Sequence, residues 1–224
     1  MTLADFQFRL GQALDGAAPA LYPESPGLRF TRKVRRSWCE GRAVNATRVV
    51  LSLVPEAERR ALVDQYLAAG GGLEAFGSLE SQRFLAFLEP RLTDPSHALS
   101  LCRMDIGMAR AQAGAEGFAV PRMASGPLIR RGRHAALVWF YADPGSVLAA
   151  LNGALVPPVG TPAHAVLFAP GLPHLFRAAS AADIDAWTAH ETTRPAEASA
   201  ETLLAEGVLE LADDDRYLAR GLNS

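Results

Sequence analysis

The residues of this chain whose types could do chemistry are five histidines, two cysteines and a large set of arginines. His97, His134, His164, His174 and His190 are scattered, with no H-E-x-x-H and no H-x-H among them. His164 and His174 flank a segment that reads as a hairpin, where they could face each other as a metal pair. A metal site generally needs more ligands and a supporting shell, and no acids stand nearby in sequence. The alternative is two hydrogen-bonded histidines at strand ends, and no metal is expected in this chain. Cys39 and Cys102 lie on apolar helical stretches, the usual place of a small buried residue. Arg103 beside Cys102 could lower its pKa, but a nucleophile also needs a positioned base, and the sequence names none.

Other catalytic signatures are missing. There is no G-x-S-x-G, no Walker loop and no dinucleotide fingerprint. Gly70-Gly71-Gly72 lacks a preceding strand and a following Lys-Ser/Thr, so it reads as a helix terminator. No pair of carboxylates stands out. No catalytic residue is assigned, and the chain is read as non-catalytic on its own. Its charge is uneven. Arg29, Arg32, Lys33, Arg35, Arg36, Arg42 and Arg48 are accompanied by one acid, Glu40, a pattern that suits a phosphate, an acidic partner surface or a solvated helix face. From Ala178 to Ser224 there are ten acids and three bases. Arg130-Arg131-Gly132-Arg133 is a second basic cluster. Lys33 is the only lysine, and arginine suits bidentate contacts to carboxylates.

The elements that must position these groups change character along the chain. Leu3, Phe6, Leu10 and Leu14 predict an amphipathic helix over residues 2–15. A Pro/Gly-rich break follows. Residues 30–53 resume helical spacing with Val34, Trp38, Val44 and Leu51. Pro55-Glu56 opens a helix carrying Leu62, Tyr66 and Leu67. A short helix with Phe84, Phe87 and Leu88 ends at Pro90. Thr93-Asp94-Pro95-Ser96 signals a helix start, and that helix runs to about Ala113 with Leu101, Met104, Met108 and Ala111 on its apolar side. After a Gly/Pro-rich connector the pattern turns to strands. His134 to Tyr141 reads as a buried strand and Asp143-Pro144 as a helix start. Ala165 to Ala169 and His174 to Ala178 read as two strands around a Pro-Gly turn, and Ser180 to His190 as a capped helix. A helix from about Ser199 stops at Gly207. Val208, Leu209 and Leu211 form a strand, Asp213-Asp214-Asp215 a turn and Tyr217-Leu218 a return strand. The expected fold is α+β: a helical domain over 1–118, a connector over 119–133, and a winged-helix-like domain with a small antiparallel sheet over 134–224.

Bulk properties narrow the class. The chain has 224 residues, is 49% hydrophobic and 21% charged, and carries a net charge of −2. That balance suits a soluble globular protein, not a general nucleic-acid or membrane-surface binder. Two distant cysteines point to a reducing cytoplasm. The first fifteen residues do not read as a signal peptide, and no stretch approaches the ~18 apolar residues of a membrane span. A winged helix that reads DNA needs cations on its recognition helix and wing. Here those places hold Glu201, Glu206 and Asp213 to Asp215. An open sheet edge accepts an extended peptide instead.

The run Asp94-Pro95-Ser96-His97-Ala98-Leu99-Ser100-Leu101-Cys102-Arg103-Met104-Asp105, with its L-x-L-C-R-M-D core on a helix, resembles the MbnC family. These are accessory proteins of methanobactin biosynthesis. Arg131 to Val138 (RGRHAALV) and His164 to Leu172 (HAVLFAPGL) resemble the family as well, and the likeness covers most of the chain from about Ser37 onward. More distant relatives, often labelled putative DNA-binding proteins, share the helical first half. The resemblance implies a heterodimer with MbnB, an iron-containing TIM-barrel oxidase. It also implies a precursor peptide, MbnA, whose cysteines the pair converts into copper-binding oxazolone–thioamide groups. In that family the iron belongs to the partner, and the accessory chain supplies the interface and the leader-peptide site.

Individual sites come from the residues themselves. His97, Arg103, Asp105 and Arg110, on one helix, are the expected partner interface. Val208, Leu209, Glu210, Leu211, Asp213 and Tyr217 are the expected peptide-binding edge. Nucleic acid and membrane are not expected partners. A winged-helix DNA-binding regulator and a metalloenzyme using His164 and His174 are the competing readings.

Overall fold

A computed structural model describes residues 26–74, 77–121, 128–195 and 200–212, together with Thr2, Asp5 and Arg9. At the start, Thr2 and Asp5 exchange backbone-to-side-chain hydrogen bonds at 3.0 and 3.1 Å. That is the reciprocal pattern of a helix-capping box. Asp5 and Arg9 are helical, and the other residues of the expected first helix lie outside the described residues.

The fold is α+β, with most helix in the first half and small antiparallel sheets in the second. The chain forms two compact units that divide between Phe87 and Leu88, well before the expected connector. The first unit is helical: α1 (Pro26–Ala46), α2 (Arg48–Ser52), α3 (Glu56–Ala68) and α4 (Gly77–Leu88). Pro55 precedes α3 and Glu56 and Glu58 sit in its first turn, as the sequence predicts. Leu62, Val63 and Tyr66 of α3 are buried, with Cys39 and Ala43 of α1 and Phe84, Leu85 and Glu80 of α4. Val34 and Trp38, read as apolar positions at helical spacing, are exposed. The buried face of α1 runs through Cys39 and Ala43, on the other side of the helix.

In the second unit, a short 3-10 turn (Glu89–Arg91) leads to α5 (His97–Ala115). The Ser96 hydroxyl accepts a hydrogen bond from Leu99 N and caps α5, in keeping with the sequence signal. Then follow β1 (Leu128–Arg131), β2 (Ala136–Phe140), α6 (Pro144–Ala150), β3 (His164–Phe168), β4 (Phe176–Ala178), α7 (Ala181–Ala189), β5 (Arg194–Pro195), α8 (Ala200–Ala205) and β6 (Leu209–Leu211). Among the described residues there are two three-stranded antiparallel sheets where one small sheet was expected: β2-β3-β4 and β5-β1-β6. The connector expected over 119–133 contains β1, the central strand of the second sheet. α5 packs on β2 and β3. The Ser100 hydroxyl donates to Trp139 O at 2.8 Å, and Gly107 lies so close to the Phe168 ring that a Cβ would sit 3.1 Å from it. Ser180 and Asp183 form the capping box of α7.

Candidate functional site

The expected peptide edge begins at Gly207, which has φ +72. Its N–H bonds Leu204 O and the following Val208 N–H bonds Leu203 O at 2.8 Å, the two-bond ending that glycine permits after a helix. A Cβ there would lie 2.8 Å from both Phe118 and Pro170, so the glycine is also sterically required. The chain then enters β6. Val208 and Leu209 are buried in a core with Ile129, Leu167, Leu203 and Leu204, so the Leu209 side chain, expected to shape a pocket together with Leu211, is spent on core packing. Leu211 is half-buried beside them.

The register decides which groups of β6 face outward. Ile129, Arg130 and Arg131 stand opposite Leu211, Glu210 and Leu209. Gly132 N bonds Val208 O and Ala212 N bonds Leu128 O, both at 2.9 Å. Bonded pairs alternate in an antiparallel ladder, so Arg130 and Glu210 form the bonded pair between them. The N–H and C=O groups of Leu209 and Leu211 therefore point away from β1. Among the described residues no strand pairs with that side of β6.

A cleft of about 390 Å³ borders this edge, with Phe118, Pro121, His134, Pro170, Leu204 and Leu211 on its walls. Glu210, expected to contact peptide, is already engaged. Its carboxylate accepts hydrogen bonds from Arg130 Nε at 2.9 Å, Arg133 N at 3.0 Å and Arg133 Nε at 3.4 Å. Burial works to raise its pKa, but these bonds and the two guanidinium charges hold it below the usual range. Arg131 lies over the Trp187 ring and donates to Trp187 O at 2.7 Å. The basic cluster at 130–133 is thus built into the sheet. Asp213 and Tyr217 lie outside the described residues.

The expected interface helix α5 is more mixed. His97 is 4% exposed and its Nε2 is 2.9 Å from Pro157 O, which places it in the interior and not at a partner surface. Arg103 pairs with Glu89 at 3.3 Å, and Arg110 is exposed. Cys102 is fully buried. Burial pushes its thiol up to about 12, helped by Glu89 and Asp105, against the opposing pull of Arg103. Arg103 does lower it, as the sequence allows, but burial outweighs that pull, and Cys102 is the small buried residue that its apolar helical setting predicts.

Asp105 is half-buried, and burial pushes its carboxyl up to about 6. Between about pH 4, where the unfolded carboxyl titrates, and about pH 6, the folded chain holds more protons, so stability falls as pH rises. Asp105→Asn should therefore stabilise the chain by roughly 1 kcal/mol near neutral pH and have little effect below about pH 4. Urea melts of both proteins at the two pH values check this.

His164 and His174 do not meet. β3 starts at His164, while His174 lies in the turn at the opposite end of the β3–β4 pair, beyond the Phe168–Phe176 register position. Among the described residues no group of three or more His, Cys, Asp or Glu side chains is placed to hold a metal ion. Sequence reading missed two charged clusters. Arg177 bonds both Asp183, at 2.6 and 2.9 Å, and Glu206, at 2.7 and 3.1 Å. Arg177 holds the Asp183 carboxyl well below its usual range. Glu206, counted as a repulsive acid of a recognition helix, is thus neutralised. The second is the buried Glu80, whose spacing of four and eight residues from Phe84 and Leu88 was a signal for the same buried helix face.

No family model matches the chain, and neither a curated protein nor a solved structure shows significant similarity to it. Among the described residues, no helix is long and apolar enough to cross a membrane.

Proposed function

We propose that this chain is the accessory subunit of a peptide-modifying, iron-dependent oxidase of the MbnB type, and that it holds the leader of a precursor peptide such as MbnA. The observation that carries the reading is the outer edge of β6, where Leu209 and Leu211 turn their main-chain groups toward a cleft walled by Phe118, Pro121 and Pro170. An added strand would satisfy those groups, and the apolar walls would select side chains. The resemblance of Leu99 to Asp105, Arg131 to Val138 and His164 to Leu172 to the MbnC family supports the choice of partner. In this reading the iron resides in the partner, and the chain acts in the cytoplasm. DNA binding is disfavoured because α8 carries Glu201 and no cation.

The test is co-expression with the barrel oxidase that this reading expects to be encoded beside the chain. The two should co-elute in size-exclusion chromatography, with iron following the oxidase. A synthetic leader peptide should bind this chain alone and the complex alike. Failure to co-elute, or leader binding by the oxidase only, would remove the reading.

A further inference from the structure

The outward face of α1 is unlike the rest of its helix. At the helical angle of about 100° per residue, Phe30, Thr31, Val34, Ser37, Trp38 and Gly41 fall within an arc of roughly 120°. All six are exposed, and none is charged. Phe30 is 68% exposed, Val34 51% and Trp38 64%. They recur every fourth residue, so they form one stripe about 12 Å long. The buried positions Cys39 and Ala43 lie on the opposite side. The apolar stripe is therefore not the face that α1 uses to join its own unit.

Cations flank the stripe. Arg29 and Lys33 are exposed along one margin, where the single acid Glu40 also lies. On the other margin the Arg42 guanidinium lies 4.9 Å from the centre of the Trp38 ring. That contact holds the indole on the open face. Gly41 adds an independent mark. Glycine is a costly residue inside a helix. A Cβ at Gly41 would meet nothing within 4 Å, so no contact within the chain requires the glycine. A missing side chain on an open face lets another backbone approach closely.

We propose that this face of α1 docks an acidic amphipathic helix of another protein. Its apolar side would lie along Phe30, Val34 and Trp38, its backbone would cross near Gly41, and its carboxylates would meet Arg29, Lys33 and Arg42. Charge complementarity selects the acidic partner, since the margins of the stripe carry Arg29, Lys33 and Arg42 against the one acid Glu40. A lipid surface fits less well, because it would draw no benefit from the glycine. The surface uses first-unit residues alone, so it stands or falls separately from the β6 edge.

A photo-crosslinking residue at position 34 of the full chain, expressed in its native host, maps the contact. The expected product joins position 34 to an amphipathic, net acidic helical segment of a second protein. A synthetic peptide of that mapped segment should bind the purified chain. Val34→Asp and Lys33→Glu should each weaken that binding at least about tenfold without shifting Tm, because both positions are exposed. The proposal is overturned by crosslinks only to this chain's own residues, to a second copy or to lipid, or by no crosslink. It is equally overturned by a basic mapped segment, or by a peptide that binds the Val34→Asp chain as tightly as the original.

Discussion

Glu80→Ala is expected to destabilise the first unit by about 3–5 kcal/mol. Glu80 is fully buried. One carboxylate oxygen accepts from Tyr66 OH at 2.5 Å and Gly72 N at 2.8 Å, and the other from Glu74 N at 3.1 Å. Truncation leaves three buried or half-buried donors unpaired and opens a cavity beside Tyr66, whose ring stacks on Phe84. The glycine run joins α3 to this acceptor. A Cβ at Gly71 would overlap the Tyr66 ring at 2.2 Å, and Gly72, with φ +81, passes within 2.6 Å of Cys39 by the same measure. Terminating α3 is therefore only part of what Gly70-Gly71-Gly72 does.

Glu80→Gln separates shape from charge. Its amide oxygen can still accept from Tyr66 and Gly72, but its NH2 then faces the Glu74 N–H, donor against donor. The expected loss is smaller, roughly 2 kcal/mol. Burial works to raise the Glu80 pKa, while its three hydrogen bonds and the Arg42 charge bring it below the usual value. Its stabilising contribution is thus present above the unfolded carboxyl pKa and is lost as pH falls through the folded one. Urea melts followed by circular dichroism measure all of this. A Glu80→Ala chain as stable as the original would show that the buried carboxylate is not the anchor of the unit.

Leu211→Pro should leave the second unit folded and reduce affinity for a leader peptide about tenfold to a hundredfold. Proline removes one N–H, and at Leu211 that N–H points away from β1. Proline also holds the preceding residue extended, which Glu210 already is within β6. Glu210→Pro is the matched opposite. It removes the donor that pairs with Arg130 inside the sheet, so it should unfold the unit. Leu211→Ala controls for the lost side chain. Peptide affinity by fluorescence anisotropy, with Tm measured alongside, separates these outcomes. If Leu211→Pro folds and binds the leader as tightly as the original chain, the peptide docks elsewhere. The outer edge of β2 in the other sheet is then the next place to look.

Much of the candidate site was legible in outline. Gly207 marks the end of α8, and the residues after it read as a strand because they do form β6. Which of its groups face outward was not legible. That depends on a register set by Gly132 and Leu128, far away in sequence. The side chain of Leu209 shows the limit plainly: it was read as lining a peptide pocket, and it is core.

What the amino-acid sequence determined by itself is the local structure. The Ser96 and Ser180 caps, the Pro55 entry to α3 and the Gly207 stop each rest on hydrogen bonds or backbone angles within a few residues of themselves. The apolar runs of β2 and β3 were legible as strands from their residue types, although each is completed by pairing with the other. Tertiary structure alone decided the rest. β1 hides in a stretch read as a connector because its stability comes from β5 and β6, both distant along the chain. Periodicity can show that α1 has an apolar stripe, but not that Cys39 and Ala43, not Val34 and Trp38, meet α3. A capping bond is formed wherever its few residues occur, whereas a face is buried only if a distant partner arrives to cover it.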